Sequence, residues 1–126
     1  MKTKGQLEAE ISEAMIKFEK DYMGRGPDEA KCYIFDDMVL VRLKGVLTPA
    51  EKRLAKTDSE SRGRSLIKQV RIELLEKGRP LLESVLAEIT GRKVRSLHTD
   101  ISTVTGERVI IFTLTGTPPV LLDKAQ

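Results

Sequence analysis

The chain has 126 residues, enough for one domain with a real core and too few for two. Its charged fraction of 33% is mixed in sign, which reads as a soluble globular surface rather than disorder, and a net charge of +3 does not by itself argue for nucleic acid. The single cysteine, Cys32, excludes an intrachain disulfide, and no apolar run approaches the roughly 18–20 residues of a membrane span.

No apolar stretch follows the opening Met-Lys-Thr-Lys-Gly, so the expectation is a cytoplasmic soluble domain without direct membrane insertion. Thr3 and Gln6 have capping-box spacing and predict the start of a first helix. Leu7, Ile11, Ala14, Met15, Phe18 and Tyr22 then recur as one apolar stripe. Met23-Gly24-Arg25-Gly26-Pro27 ends it, because glycine suits a helix C-terminus and proline cannot continue. Two β-branched and aromatic runs flank Asp36-Asp37 and predict a hairpin over 31–47. In its second run Val39, Val41 and Leu43 alternate with Leu40, Arg42 and Lys44, an apolar face against a basic one.

Thr48-Pro49-Ala50-Glu51 combines a threonine cap, a proline at the first helical position and a glutamate reaching back, so a short helix opens here. Thr57 to Glu60 repeats the spacing and predicts another helix over about 58–77. Placed at about 100° per residue, Leu66, Ile67, Val70 and Leu74 form the arc assigned to the sheet. Arg64, Lys68 and Arg71 form a solvent-facing basic stripe, with Ile72 and Leu75 as a second apolar strip beyond it. Gly78-Arg79-Pro80 is expected to break or kink the helix, and a further segment with Leu81, Leu82, Val85, Leu86 and Ile89 ends at Gly91. Two more strands are predicted from Lys93 to about Thr103 and from Glu107 to Thr115. Gly106 lies in the loop between them. The second strand is apolar on both faces, as a central strand is.

This order predicts an α+β fold: two β-hairpins forming a four-stranded antiparallel sheet, helices mainly on one face, order α-ββ-αα(α)-ββ. One domain covers 1–117, and 118–126 is expected to be a flexible tail. The sheet's other face carries either Tyr33 and Phe35 or Ile110 and Phe112. So much apolar surface is rarely left wet, which predicts a homodimer through this face or through the Ile72/Leu75 strip.

Three groups of residues carry candidate chemistry. Gly24-Arg25-Gly26-Pro27 reads as a helix-to-strand turn, with an anion-binding loop as the alternative; the flanking elements and ending of a phosphate loop are absent. His98 and Asp100 share one face of a strand about 6.7 Å apart, within reach of Arg42 or Lys44 on a neighbour. One histidine and one cysteine do not make a metal site, so neither metal nor cofactor is assigned, and no catalytic residue is named. The stripe Arg64, Lys68 and Arg71 reads as a solvated helix face, with a nucleic-acid contact as the alternative.

Gly24-Arg-Gly-Pro27, Asp37-Met-Val, Leu47-Thr-Pro-Ala-Glu51, Gly91-Arg-Lys-Val94 and His98-Thr-Asp-Ile101, taken in this order, resemble the MpsC-like family of small bacterial proteins. The resemblance runs from about residue 6 to about residue 115. That family is named after a sodium-translocating, membrane-potential-generating system. The resemblance implies a non-enzymatic accessory or regulatory partner of integral membrane components that transport an ion or bicarbonate. It brings no established catalytic residues and marks Gly24, Arg25, Gly26, Pro27, His98 and Asp100 as matching positions. A nucleic-acid-binding module, and a small-molecule or anion binder using Arg25, His98 and Asp100, stay open as alternatives.

Overall fold

The structure, a computed structural model, describes residues 1–57 and 62–121. The Thr3 hydroxyl accepts from the Gln6 backbone N–H while the Gln6 side chain accepts from that of Thr3, and this reciprocal cap opens α1 (Lys4–Met23). Gly24 closes it at φ 82°, a left-handed conformation that side chains resist. Strands β1 (Glu29–Phe35) and β2 (Met38–Lys44) are joined through Asp36-Asp37, with Asp36 at φ 52°. Aspartate is among the few residues that tolerate this region. Thr48 and Glu51 exchange the same pair of bonds as Thr3 and Gln6, and α2 (Pro49–Thr57) follows. The second capping signal falls largely on 58–61, outside the described residues.

Helix α3 (Arg62–Thr90) is one continuous rod, not two segments meeting at Gly78-Arg79-Pro80. Pro80 lies on its exposed side. Gly78 serves a packing purpose: a Cβ there would come within 2.4 Å of the Phe18 ring. Its missing side chain lets the stacked Phe18–Tyr22 pair of α1 lie against α3.

The buried arc of α3 is Gly63, Ile67, Arg71, Leu75, Gly78, Leu82 and Leu86. At 100° per residue it sits roughly a quarter-turn from the arc expected from Leu66, Ile67, Val70 and Leu74. Leu66 and Val70 are 45% and 53% exposed, while Leu75, expected on an outer strip with Ile72, is in the core. The reason is electrostatic: Arg71 points inward, held by carboxylates from two other helices.

Strands β3 (Val94–Ile101) and β4 (Arg108–Leu114) complete a sheet of order β1-β2-β4-β3, antiparallel throughout. The fold is α+β, in the order α-ββ-α-α-ββ. β4 is central, as its two apolar faces predict. Val39, Val41, Leu43, Ile110, Phe112 and Leu114 turn to the helices and are fully buried. The chain after β4 is not loose from 118: Pro118 is buried, Val120 packs on the core and Leu121 pairs with Thr3 in a parallel bridge.

Candidate interaction surface

With the helices on one side, strand alternation turns the other half of each strand toward solvent. The register sets three rows across β1, β2, β4 and β3. They read Phe35–Met38–Thr113–Ser96, then Tyr33–Leu40–Ile111–His98, then Lys31–Arg42–Val109–Asp100. Of the two alternatives for this face, Tyr33 and Phe35 are the exposed pair, and Ile110 and Phe112 are buried. The two rings lie 6.3 Å apart in a loose stack, and Phe35 is 54% exposed. Leu40, Val109 and Ile111 are half-buried between their neighbours.

Polar groups rim this apolar centre. Arg42 Nε donates to Glu107 Oε2 at 2.6 Å, and this bond holds the guanidinium above its ordinary range. His98 Nε2 is 3.4 Å from Ser96 Oγ, which in turn bonds Thr113 Oγ1. Asp100 Oδ1 accepts from the Ile101 backbone N–H at 2.8 Å and from Lys68 Nζ at 3.3 Å; these bonds, the backbone one foremost, hold its carboxyl below the usual range. Arg42, His98 and Asp100 therefore share the open face.

Arg25 does not join them. Its Nε donates to the Gly45 carbonyl and its Nη2 to Asp28 Oδ1, so it ties the Gly24–Pro27 turn to the base of the first hairpin. That hairpin begins on the edge strand β1, and His98 lies on the opposite edge, β3, three strand spacings or about 14 Å away. The small-molecule reading requires these two residues to converge, and Arg25 is instead bonded to Gly45 and Asp28.

The basic stripe is also dispersed. Arg64 faces a groove shared with Lys52 and Lys56, Lys68 pairs with Asp100, and Arg71 is 2% exposed inside the protein. Arg71 belongs to a charge cluster that sequence reasoning missed. Its Nε and Nη2 grip both oxygens of Glu51, at 3.0 and 2.7 Å, and Nη2 also donates to the Val46 carbonyl at 2.8 Å. Its Nη1 reaches Glu19 Oε1 at 3.2 Å, while Glu19 Oε2 takes Arg108 Nη1 at 3.3 Å.

Two guanidinium and two carboxylate groups thus cancel within one cluster that ties α1, α2, α3 and β4 together. Burial pushes the Glu19 carboxyl up, against the pull of Arg108 and Arg71. Burial pushes the Arg108 guanidinium down. It also acts on Glu51, where the bonds from Arg71 and Thr48 outweigh it and hold that carboxyl low. A signal was present in the sequence. Glu19 continues the Ile11–Met15 step of four, Arg71 lies midway between Ile67 and Leu75, and Arg108 alternates with Ile110, Phe112 and Leu114. All three charges are in phase with core positions.

Comparison with known proteins places these features. A family described as "Na+-translocating membrane potential-generating system (MpsC)" matches residues 3–116. The uncharacterized protein YbcI of Bacillus subtilis (strain 168) is 48% identical over 123 residues, covering 98% of this chain and 97% of the relative. No solved structure gives a significant match. Among the described residues, no helix is long and apolar enough to cross a membrane. With almost its whole length matched, the chain belongs to the MpsC family.

Proposed function

We propose that this chain is a non-enzymatic accessory or regulatory protein of a Na+-translocating membrane potential-generating system, and that its open sheet face is a protein contact surface on which this role depends. The observation that carries the reading is that face: Tyr33, Phe35, Met38, Leu40, Val109 and Ile111 form one apolar area on a layer whose other side is fully packed. Rimmed by Arg42, His98 and Asp100, it has the apolar centre and charged edge of a protein contact surface. Family membership supplies the system such a protein would serve.

The test is the Na+-dependent membrane potential of cells lacking the chain, read with a voltage-sensitive dye. The potential is expected to fall, and to recover with the native chain but not with Tyr33→Asp/Phe35→Asp. An unchanged potential on deletion overturns the link to this system. Full recovery with the double variant overturns the role of the face.

A further inference from the structure

We propose that the open sheet face is covered by a second copy of this chain, stacked sheet on sheet about a two-fold axis that runs along the strands between β2 and β4. This rests on reading the face as a protein contact surface, and it names the occupant.

The argument comes from register and charge. A two-fold axis in the plane of the contact lies either across the strands or along them. Across them, each strand meets its own copy, and the outer rows exchange. Lys31 then lies on the partner's Phe35, Arg42 on the partner's Met38, and His98 on the partner's His98. That sets no opposite charges against each other: Lys31 and Arg42 meet apolar side chains and Asp100 meets a serine.

Along the strands, each row meets itself reversed. Lys31 then faces the partner's Asp100, Tyr33 the partner's His98 and Leu40 the partner's Ile111, while Phe35 meets the partner's Ser96 and Arg42, bonded to its own Glu107, lies on the partner's Val109. By symmetry each of these pairs occurs twice, so opposite charges close both long edges over an apolar centre. Aligned sheets cross by about 30°, and the edge strands lie about 7 Å from the axis, so row ends slide by only about 4 Å. A lysine side chain spans that distance.

Neither charge is buried in its present pairing. Lys31 is 3.6 Å from Glu29; Asp100, which accepts from the Ile101 N–H through one oxygen and lies 3.3 Å from Lys68, is 80% exposed, and the other three side chains are 45–58% exposed. Exposed pairs of this kind contribute little and exchange readily. Pairing edge to edge is less suited: Glu8 on α1 already accepts the Ile34 N–H of β1, and β3 is irregular between Val94 and Ser96. The face measures about 20 by 23 Å from strand spacing and rise, roughly 900 Å² over both copies, the size of weak and transient interfaces, so association is expected in the micromolar range or weaker.

The experiment is sedimentation velocity of the full chain over roughly 1–200 μM, a range spanning micromolar affinity. The native chain is expected to move from monomer to dimer. Lys31→Glu and Asp100→Lys each set like charges across the edge and weaken association about tenfold or more. Lys31→Glu combined with Asp100→Lys restores the opposite pair and most of the affinity. Circular dichroism confirms that these surface variants stay folded. A native chain that stays monomeric overturns the inference, and a double swap no tighter than the singles overturns the axis. A monomeric native chain whose face variant still fails to restore the membrane potential would spare the contact-surface reading. A native dimer dispersed by Tyr33→Asp/Phe35→Asp without effect on the potential would support the pairing while overturning the role of the face in the proposed function.

Discussion

Glu19 is wholly buried between Arg71 and Arg108, and Arg71 also holds Glu51, so the loss of Glu19 leaves Arg108 and the loss of Arg71 leaves Glu51 without its ion-pair partner. Arg71→Met is expected to cost about 3–5 kcal/mol in urea unfolding, because it removes the guanidinium paired with Glu51 and leaves the buried Glu19 with Arg108 alone. Arg71→Lys recovers little of this, since an ammonium cannot grip both oxygens of Glu51. The pH dependence follows from the directions of the shifts. The folded-state pKa of Glu51 is lowered, so its contribution is present above the ordinary glutamate value of about 4.3 and is lost as pH falls through the folded value. Glu51→Gln should flatten that acid limb, measured as urea midpoints at successive pH values. Glu19 acts in the opposite sense: its folded pKa is raised, so its contribution declines as pH rises from the ordinary value through the folded one. Burial, with Glu8 nearby, pushes the Cys32 thiol up to about 12. Native protein at about pH 8 should therefore leave a thiol reagent unreacted until denaturant is added.

Among the elements, α3 shows where periodicity misleads. Leu66, Val70, Ile72 and Leu81 are exposed apolar residues on a helix whose other side is also apolar, so the stripe alone does not say which arc turns inward. The Arg64–Lys68–Arg71 stripe reads as a solvated helix face, yet Arg71 points inward. Its carboxylate partners lie 52 and 20 residues away, and only folding brings them together. Gly78 before Arg79-Pro80 reads as a break, yet its use depends on Phe18, on another helix. Gly78→Ala is expected to destabilise by about 1–3 kcal/mol through overpacking, despite alanine's better helix propensity. Gly5→Ala, with nothing within 4 Å of the new methyl, should stabilise by up to about 1 kcal/mol. Thermal unfolding of both variants checks the contrast.

For the molecule as a whole, a dimer ties stability to concentration. The native chain should melt at a higher temperature as concentration rises, while Tyr33→Asp should melt at one temperature throughout. Scanning calorimetry at low and high concentration distinguishes the two. The caps at Thr3 and Thr48, the stop at Gly24, the two hairpins and the central place of β4 were all legible in the sequence. Each rests on interactions within a few residues or on strand alternation, and these local rules survive folding. The rotation of α3, the continuity of that helix, the docking of residues 118–121 beside Thr3 and the Glu19–Arg71–Glu51–Arg108 cluster were decided only by tertiary structure. In each case the deciding partner is distant in the chain, and a buried charge or a missing side chain has meaning only beside the group that meets it.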